Sequence, residues 1–109
     1  MINTISYRDF AKLDLRTAKI KQVDELENAD KLYKLTIELG NKKRTIVAGI
    51  KQFYTKEELV GKTIIIIANL EPRRLKSVTS DGMLLAADTN GRPILLTTDG
   101  ECDSDKKIC

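Results

Sequence analysis

The 109 residues suit one domain, large enough to bury a core without staples, and an apolar content of 41% with uninterrupted Ile/Leu/Val runs excludes a disordered chain. The net charge of +3 averages an acidic end and a basic body: residues 1–98 carry 17 basic against 12 acidic side chains, a net +5, which permits an anionic partner without demanding one. There is no His, and Cys102 and Cys109 lie seven residues apart near the end, a spacing unlike any metal-ligand cluster, so both read as free thiols and no metal or cofactor is expected.

Residues 1–7 lack the basic start and apolar core of a secretory signal, and the longest purely apolar run, residues 64–68, is far too short to span a bilayer, so the cytoplasm is the expected compartment. Ser6 stands three residues before Asp9 as a weak capping box, with Ile5 and Phe10 placed as a hydrophobic staple, and this predicts a short first helix. A strand follows over residues 16–23. Its apolar alternation slips phase between Ile20 and Val23, as in a bulged or strongly bent strand. After a turn at Asn28-Ala29-Asp30 comes the cleanest strand, with Tyr33, Leu35, Ile37 and Leu39 facing one way and Lys34, Thr36 and Glu38 the other. Gly40-Asn41 turns the chain, and Lys42-Lys43-Arg44 forms a basic hairpin tip leading into a second strand over residues 45–48.

Thr55 and Glu58 form a capping box for about one turn of helix, which Gly61 ends. Residues 63–68 are β-branched and apolar on both faces, the mark of a central strand covered on both sides. Pro72 lies in the loop that follows, and Arg73, Arg74 and Lys76 share that loop. Residues 82–87 read as one apolar strand, Asn90-Gly91 as a hairpin turn, and residues 92–97 as the returning strand. The expected fold is mostly β: a five-stranded Greek-key barrel of the oligonucleotide/oligosaccharide-binding type, with short helices and an added C-terminal strand region, forming one domain over residues 1–109 with residues 99–109 as a variable tail. Periodicity alone leaves an SH3-like barrel open.

With no His, no metal cluster, no phosphate-cradling Gly loop and no acid pair at evident spacing, an active site has little material, so catalysis is not expected. Basic residues fall in two groups, Lys42-Lys43-Arg44 and Arg73-Arg74 with Lys76, and Lys34 lies on the polar face of the strand between. Brought together they make a track for phosphates; left apart they are solvated loops. The five aromatic residues (Tyr7, Phe10, Tyr33, Phe53, Tyr54) leave little on which to stack bases, so any nucleic acid is read by shape and backbone. Tyr33 begins an apolar face and reads as core, while Phe53 and Tyr54 fit the cover of a barrel end. Gly82 allows a backbone turn closed to other residues; Ser80 offers a hydroxyl and Met83 an adaptable apolar contact. Residue logic alone favours a turn followed by a strand whose first residue is core.

Four segments resemble a known family when taken together. They are Asn28-Ala29-Asp30-Lys31-Leu32-Tyr33-Lys34-Leu35, Arg44-Thr45-Ile46-Val47-Ala48-Gly49-Ile50, Ala68-Asn69-Leu70-Glu71-Pro72-Arg73-Arg74-Leu75 and Ser80-Asp81-Gly82-Met83-Leu84-Leu85-Ala86-Ala87. Over residues 5–98 their order and spacing resemble the tRNA-binding domain found at the C-terminus of many methionyl-tRNA synthetases and as freestanding tRNA-binding proteins. The resemblance implies a non-catalytic module that binds tRNA, a homodimer, and the catalytic subunit of a methionyl-tRNA synthetase as partner. It also implies a contact role for the Ser80–Met83 motif with the preceding Asn69. The tRNA-binding set is then Lys34, Arg44, Asn69, Arg73, Arg74, Lys76, Ser80 and Met83. Because the chain begins with Met1 and carries no catalytic domain, it looks most like a separate β subunit, or a fragment of a longer enzyme. The chain departs from the pattern at Leu26-Glu27, where the family often has His-Pro, at Ser77, where Gly is common, and in residues 100–109, which lack a Pro/Gly-rich ending. Export chaperones of the CsaA type share much of the pattern and bind peptides as dimers, which makes a dimeric chaperone or protein-interaction module the alternative.

Overall fold

The computed structural model describes residues 3–109. Ser6 caps α1 (Tyr7–Phe10), its side chain accepting from the Asp9 backbone N–H. The ring that meets Phe10 is Tyr7, and Ile5 stays 68% exposed, so the expected staple does not bury it. The strand expected over residues 16–23 is β1 (Leu15–Glu25), and its register shifts between Ile20 and Gln22. This bulge is the source of the phase slip, and the bend it permits lets β1 serve two partners. Its first half pairs with β4 (Thr63–Ile67), from Leu15 opposite Ile67 to Lys19 opposite Thr63. The second half pairs with β2 (Tyr33–Leu39).

Strict alternation in β2 buries Tyr33, Leu35, Ile37 and Leu39 and leaves the residues between them half-buried on the other face. Ile64, Ile65 and Ile66 of β4 are all buried, as a strand covered on both faces requires. Leu59, on the one-turn helix α2 (Lys56–Leu59) held by the Thr55–Glu58 capping box, is fully buried against this core. Tyr33 is core, and its hydroxyl donates to the Tyr54 carbonyl at 2.9 Å. At the end of β1 Glu25 bridges Lys51 at 2.7 Å and Lys56 at 3.3 Å, and these two ammonium groups hold its carboxyl below the usual carboxylate range.

Three expectations are corrected in detail. The strand after Gly40-Asn41 is β3 (Lys42–Ala48), three residues longer than expected, because a two-residue turn with Gly40 at φ +62° brings Lys42 directly opposite Leu39. The basic triplet is therefore strand, not loop. The segment around Arg73 and Arg74 is a hairpin, β5 (Arg73–Leu75) with β6 (Val78–Ser80). Its two turn residues, Lys76 at φ +51° and Ser77 at φ +73°, are left-handed without a glycine, so the usual sequence signal for such a turn is missing. Ser77→Gly removes the Cβ crowding of that conformation. It should stabilise the fold by roughly 0.5–1 kcal/mol, read as a rise of a few degrees in a thermal melt. The apolar stretch 82–87 is not one strand but β7 (Met83–Leu84) and β8 (Ala86–Thr89), broken at Leu85. Leu85 donates to the Ile65 carbonyl at 2.9 Å and accepts from Leu96 at 3.1 Å, so it is the residue at which the chain leaves one sheet for the next. β8 pairs with β9 (Arg92–Leu95) across Asn90-Gly91, both at positive φ.

The result is a curled five-stranded antiparallel sheet, order β3-β2-β1-β4-β7, with two hairpins attached. Residues 103–108, expected as variable tail, lie along β1 where β2 has already left it. Thr17 donates its N–H to Lys106 O (2.9 Å) and accepts at its carbonyl from Asp105 (2.7 Å). The buried Thr17 hydroxyl donates to Asp103 O and accepts from Lys106 N–H. Backbone groups at the start of β1 are thereby satisfied. Among the described residues no helix is long and apolar enough to cross a membrane.

Candidate nucleic-acid interface

The two edges of the curled sheet, β3 and β7, are drawn together by the turn between β6 and β7. Asp81 donates its N–H to Thr45 O at 2.9 Å. The Ser80 hydroxyl accepts from Val47 N–H at 2.9 Å and donates to Gly82 O at 3.1 Å. Gly82 has φ +121°, and a Cβ there would lie 3.1 Å from the Ile67 carbonyl, so only glycine lets the turn sit this close to β4. Ser80 is 5% exposed, with its hydroxyl used in both directions. In this structure it builds the turn and has no free face.

Arg44 and Asn69 are likewise engaged. Strand alternation puts Arg44 opposite Ile37 on the core-facing side of β3, away from the side that carries Lys34. Its guanidinium donates to Ala68 O at 2.6 Å and lies 3.7 Å from the Asp81 carboxylate. Asn69 accepts from Asp14 N–H at 2.8 Å and donates to Lys12 O at 2.7 Å, clamping the segment after α1 to the end of β4. The grouping of Arg44 with Lys42 and Lys43 did not anticipate this, because alternation matters only once the triplet is known to be strand.

The other five site residues are spread over β2, the β5–β6 hairpin and the start of β7. Lys34 is opposite Val47, and Val47 lines a small open-mouthed pocket of about 100 Å³ together with Leu70, Arg73, Leu75 and Met83. Arg73 and Arg74 stand opposite Ser80 and Thr79 in the hairpin. Lys76, at its tip, reaches the β1–β2 loop and lines a groove there with Asn28. Among the described residues no ion pair engages Lys34, Arg73, Arg74 or Lys76, whereas Arg16, Arg44, Lys51 and Lys56 are all paired with carboxylates. Met83 is 45% exposed and Leu70 43%, both at the pocket mouth. Of these cations Arg73 lines the small apolar recess, Arg74 alternates to the other face of β5 and Lys76 lines the groove by the β1–β2 loop. The arrangement thus offers several uncommitted cations for phosphates and one recess for a flat or apolar group. The recess itself was missed in the sequence, because it forms between residues far apart along the chain. The only available signal was alternation around Lys76-Ser77, which a glycine-free turn concealed. Cys102 is half-buried and Cys109 exposed, neither in a disulfide.

Residues 15–106 match the family described as "Putative tRNA binding domain". The chain belongs to this tRNA-binding domain family. Among curated relatives, the methionine–tRNA ligase of Nanoarchaeum equitans is 50% identical over 104 residues, 95% of this chain and 13% of that protein. That of Thermotoga maritima is 48% identical over 106 residues, 97% of this chain and 17% of that protein. The chain thus spans about a sixth or less of the curated relatives it matches. Among solved structures, a MetRS-related protein of Pyrococcus horikoshii superposes with a TM-score of 0.92 at 31% identity, covering 99% of this chain and all of that one. A CsaA chaperone of Picrophilus torridus gives 0.90 at 36% identity, covering 97% and 100%. The barrel expected from the sequence is the fold of the family, and the relatives' names agree with the resemblance that the four segments carry.

Proposed function

We propose that this chain is a non-catalytic tRNA-binding module of a methionyl-tRNA synthetase, either its C-terminal domain or a separate β subunit, acting in the cytoplasm as one domain over residues 1–109. The observation that carries the reading is the set of cations with no ion-pair partner among the described residues, Lys34, Arg73, Arg74 and Lys76, in a family of tRNA-binding domains. The module holds tRNA by its folded shape through phosphate and ribose contacts. A catalytic partner then meets tRNA at a raised local concentration. Arg44 and Ser80 serve this by fixing the seam, Asn69 by clamping the segment after α1 to the end of β4, and Met83 by touching the ligand. The test is a pull-down from native extract with sequencing of bound RNA and identification of bound protein. tRNA together with a synthetase supports the reading, and a preparation that retains neither removes it.

The likeness to a CsaA chaperone favours a second reading, in which the apolar recess takes peptide. Salt separates the two: phosphate contacts weaken steeply as salt rises, and apolar peptide binding does not.

The module works as a homodimer. Ile5, Tyr7 and Leu13 near the N-terminus and Ile94 and Leu96 near β9 are large apolar side chains between 41% and 81% exposed. Among the described residues the two-stranded β8–β9 hairpin has no third strand to cover it. Sedimentation equilibrium at micromolar concentration should give a mass near twice 12.3 kDa; the mass of one chain would remove the dimer.

A further inference from the structure

The pocket beside the seam contains a residue that the phosphate track does not explain. Glu71 lines it with Leu70, Arg73, Leu75 and Met83. A carboxylate here repels phosphate, and it stands two residues from Arg73 without an ion-pair partner among the described residues. Its complement is an N–H donor. The recess around it has the scale of a single nucleobase, with apolar walls that suit a flat ring and no aromatic side chain. Ser80 and Gly82 contribute to its lining, and the Ser80 hydroxyl is already satisfied and makes no competing demand. Of the four RNA bases only guanine presents two adjacent N–H donors, N1–H and the exocyclic N2–H, to both oxygens of one carboxylate.

Resting on the tRNA-binding reading, we infer that this pocket is a subsite for one unpaired guanine of the bound RNA. The base lies between Met83 and Leu70 with its Watson–Crick edge on Glu71. Arg73 at the pocket mouth takes the phosphate of the same nucleotide, and Arg74 and Lys76 take its neighbours. The main surface thus holds RNA without regard to sequence, and this one recess adds a base preference. Glu71 is then a specificity-determining residue.

The test uses the full chain and four labelled RNA pentamers, UUGUU, UUAUU, UUCUU and UUUUU, with whole tRNA titrated in parallel. UUGUU should bind about tenfold tighter than the other three, the scale of a bidentate base contact. In Glu71→Gln, which replaces one acceptor oxygen with a donor, the guanine preference should fall to about twofold or less through weaker UUGUU binding, while the other three pentamers bind no more weakly than before. Met83→Ala should weaken UUGUU more than the others. If Glu71→Gln tightens all four pentamers equally and keeps their order, Glu71 acts only as a repelling charge and the subsite is overturned. Equal binding of the four by the unmodified protein overturns it too. In both cases steep salt dependence of tRNA binding would leave the broader reading standing, whereas failure to bind any RNA would remove both. Displacement of tRNA by an apolar peptide, with no pentamer able to compete, would assign the pocket to peptide and likewise overturn the proposal.

Discussion

Replacing Arg73, Arg74 and Lys76 together with Ala should weaken tRNA binding by at least about a hundredfold at low salt and flatten its log–log salt dependence by roughly two to three units. The reason is counterion release. Each cation that neutralises a phosphate frees about one condensed counterion, so three lost contacts remove about three times the slope of roughly 0.7–0.9 that each contributes. The hairpin is well suited to this substitution. Arg73 and Arg74 are exposed, no ion pair among the described residues engages them, and their strand is held by backbone bonds to β6. The melt should therefore stay nearly unchanged. Loss should be similar for every tRNA, since phosphates carry no sequence. Titrations of several tRNAs at a series of salt concentrations check this. A slope identical to that of the unmodified protein would place the phosphate contacts elsewhere, with Lys42 and Lys43 at the exposed start of β3 the next residues to test.

Ser80 and Met83 stand three residues apart in one motif and should respond in opposite ways. Ser80→Ala leaves the part-buried Val47 N–H without its acceptor and the buried Gly82 carbonyl without its donor. An unsatisfied buried group costs about 1–3 kcal/mol, which for a chain of this size lowers the melting temperature by roughly 4 °C or more per kcal/mol. tRNA affinity measured well below that melt should fall only as far as the seam loosens. Met83→Ala removes a side chain that is 45% exposed at the pocket mouth. The melt should move little, while affinity falls severalfold with an unchanged salt slope, because the lost contact is neutral. If instead Ser80→Ala leaves the melt unchanged and abolishes binding, the hydroxyl turns outward to the ligand when RNA is bound. If Met83→Ala changes nothing, the recess takes no part.

Much of this was legible along the chain because the signals are local. The capping box at Thr55, the alternation of residues 33–39, the phase slip after Ile20 and the doubly apolar run of residues 63–68 each report on a handful of neighbours, and each element stands where its signal lies. The family was legible for a different reason: four short segments in register outweigh any one of them, and residues 15–106 match as a unit. The site was legible only in part. Residue type singled out Lys34, Arg44, Arg73, Arg74 and Lys76 alike as material for a phosphate track, but it could not separate a side chain that faces solvent from one already occupied, as Arg44 is.

That separation is a property of register, and register depends on partners distant in sequence. Arg44 belongs with the seam instead of the hairpin tip because β3 begins at Lys42, which follows from where Leu39 ends β2. Asn69 is engaged by Lys12 and Asp14, more than fifty residues away. Ser80 is buried because β3 passes beside it. Glu71, Met83 and Val47 line one recess only after the sheet curls and brings its two edges together. By itself the sequence determined the elements, their order and the family, since backbone preferences and apolar periods act over a few residues. The tertiary structure alone decided which polar groups remain free for a ligand, because a hydrogen bond or an ion pair is satisfied by whatever atom the fold brings within about 3–4 Å, however far off it lies along the chain.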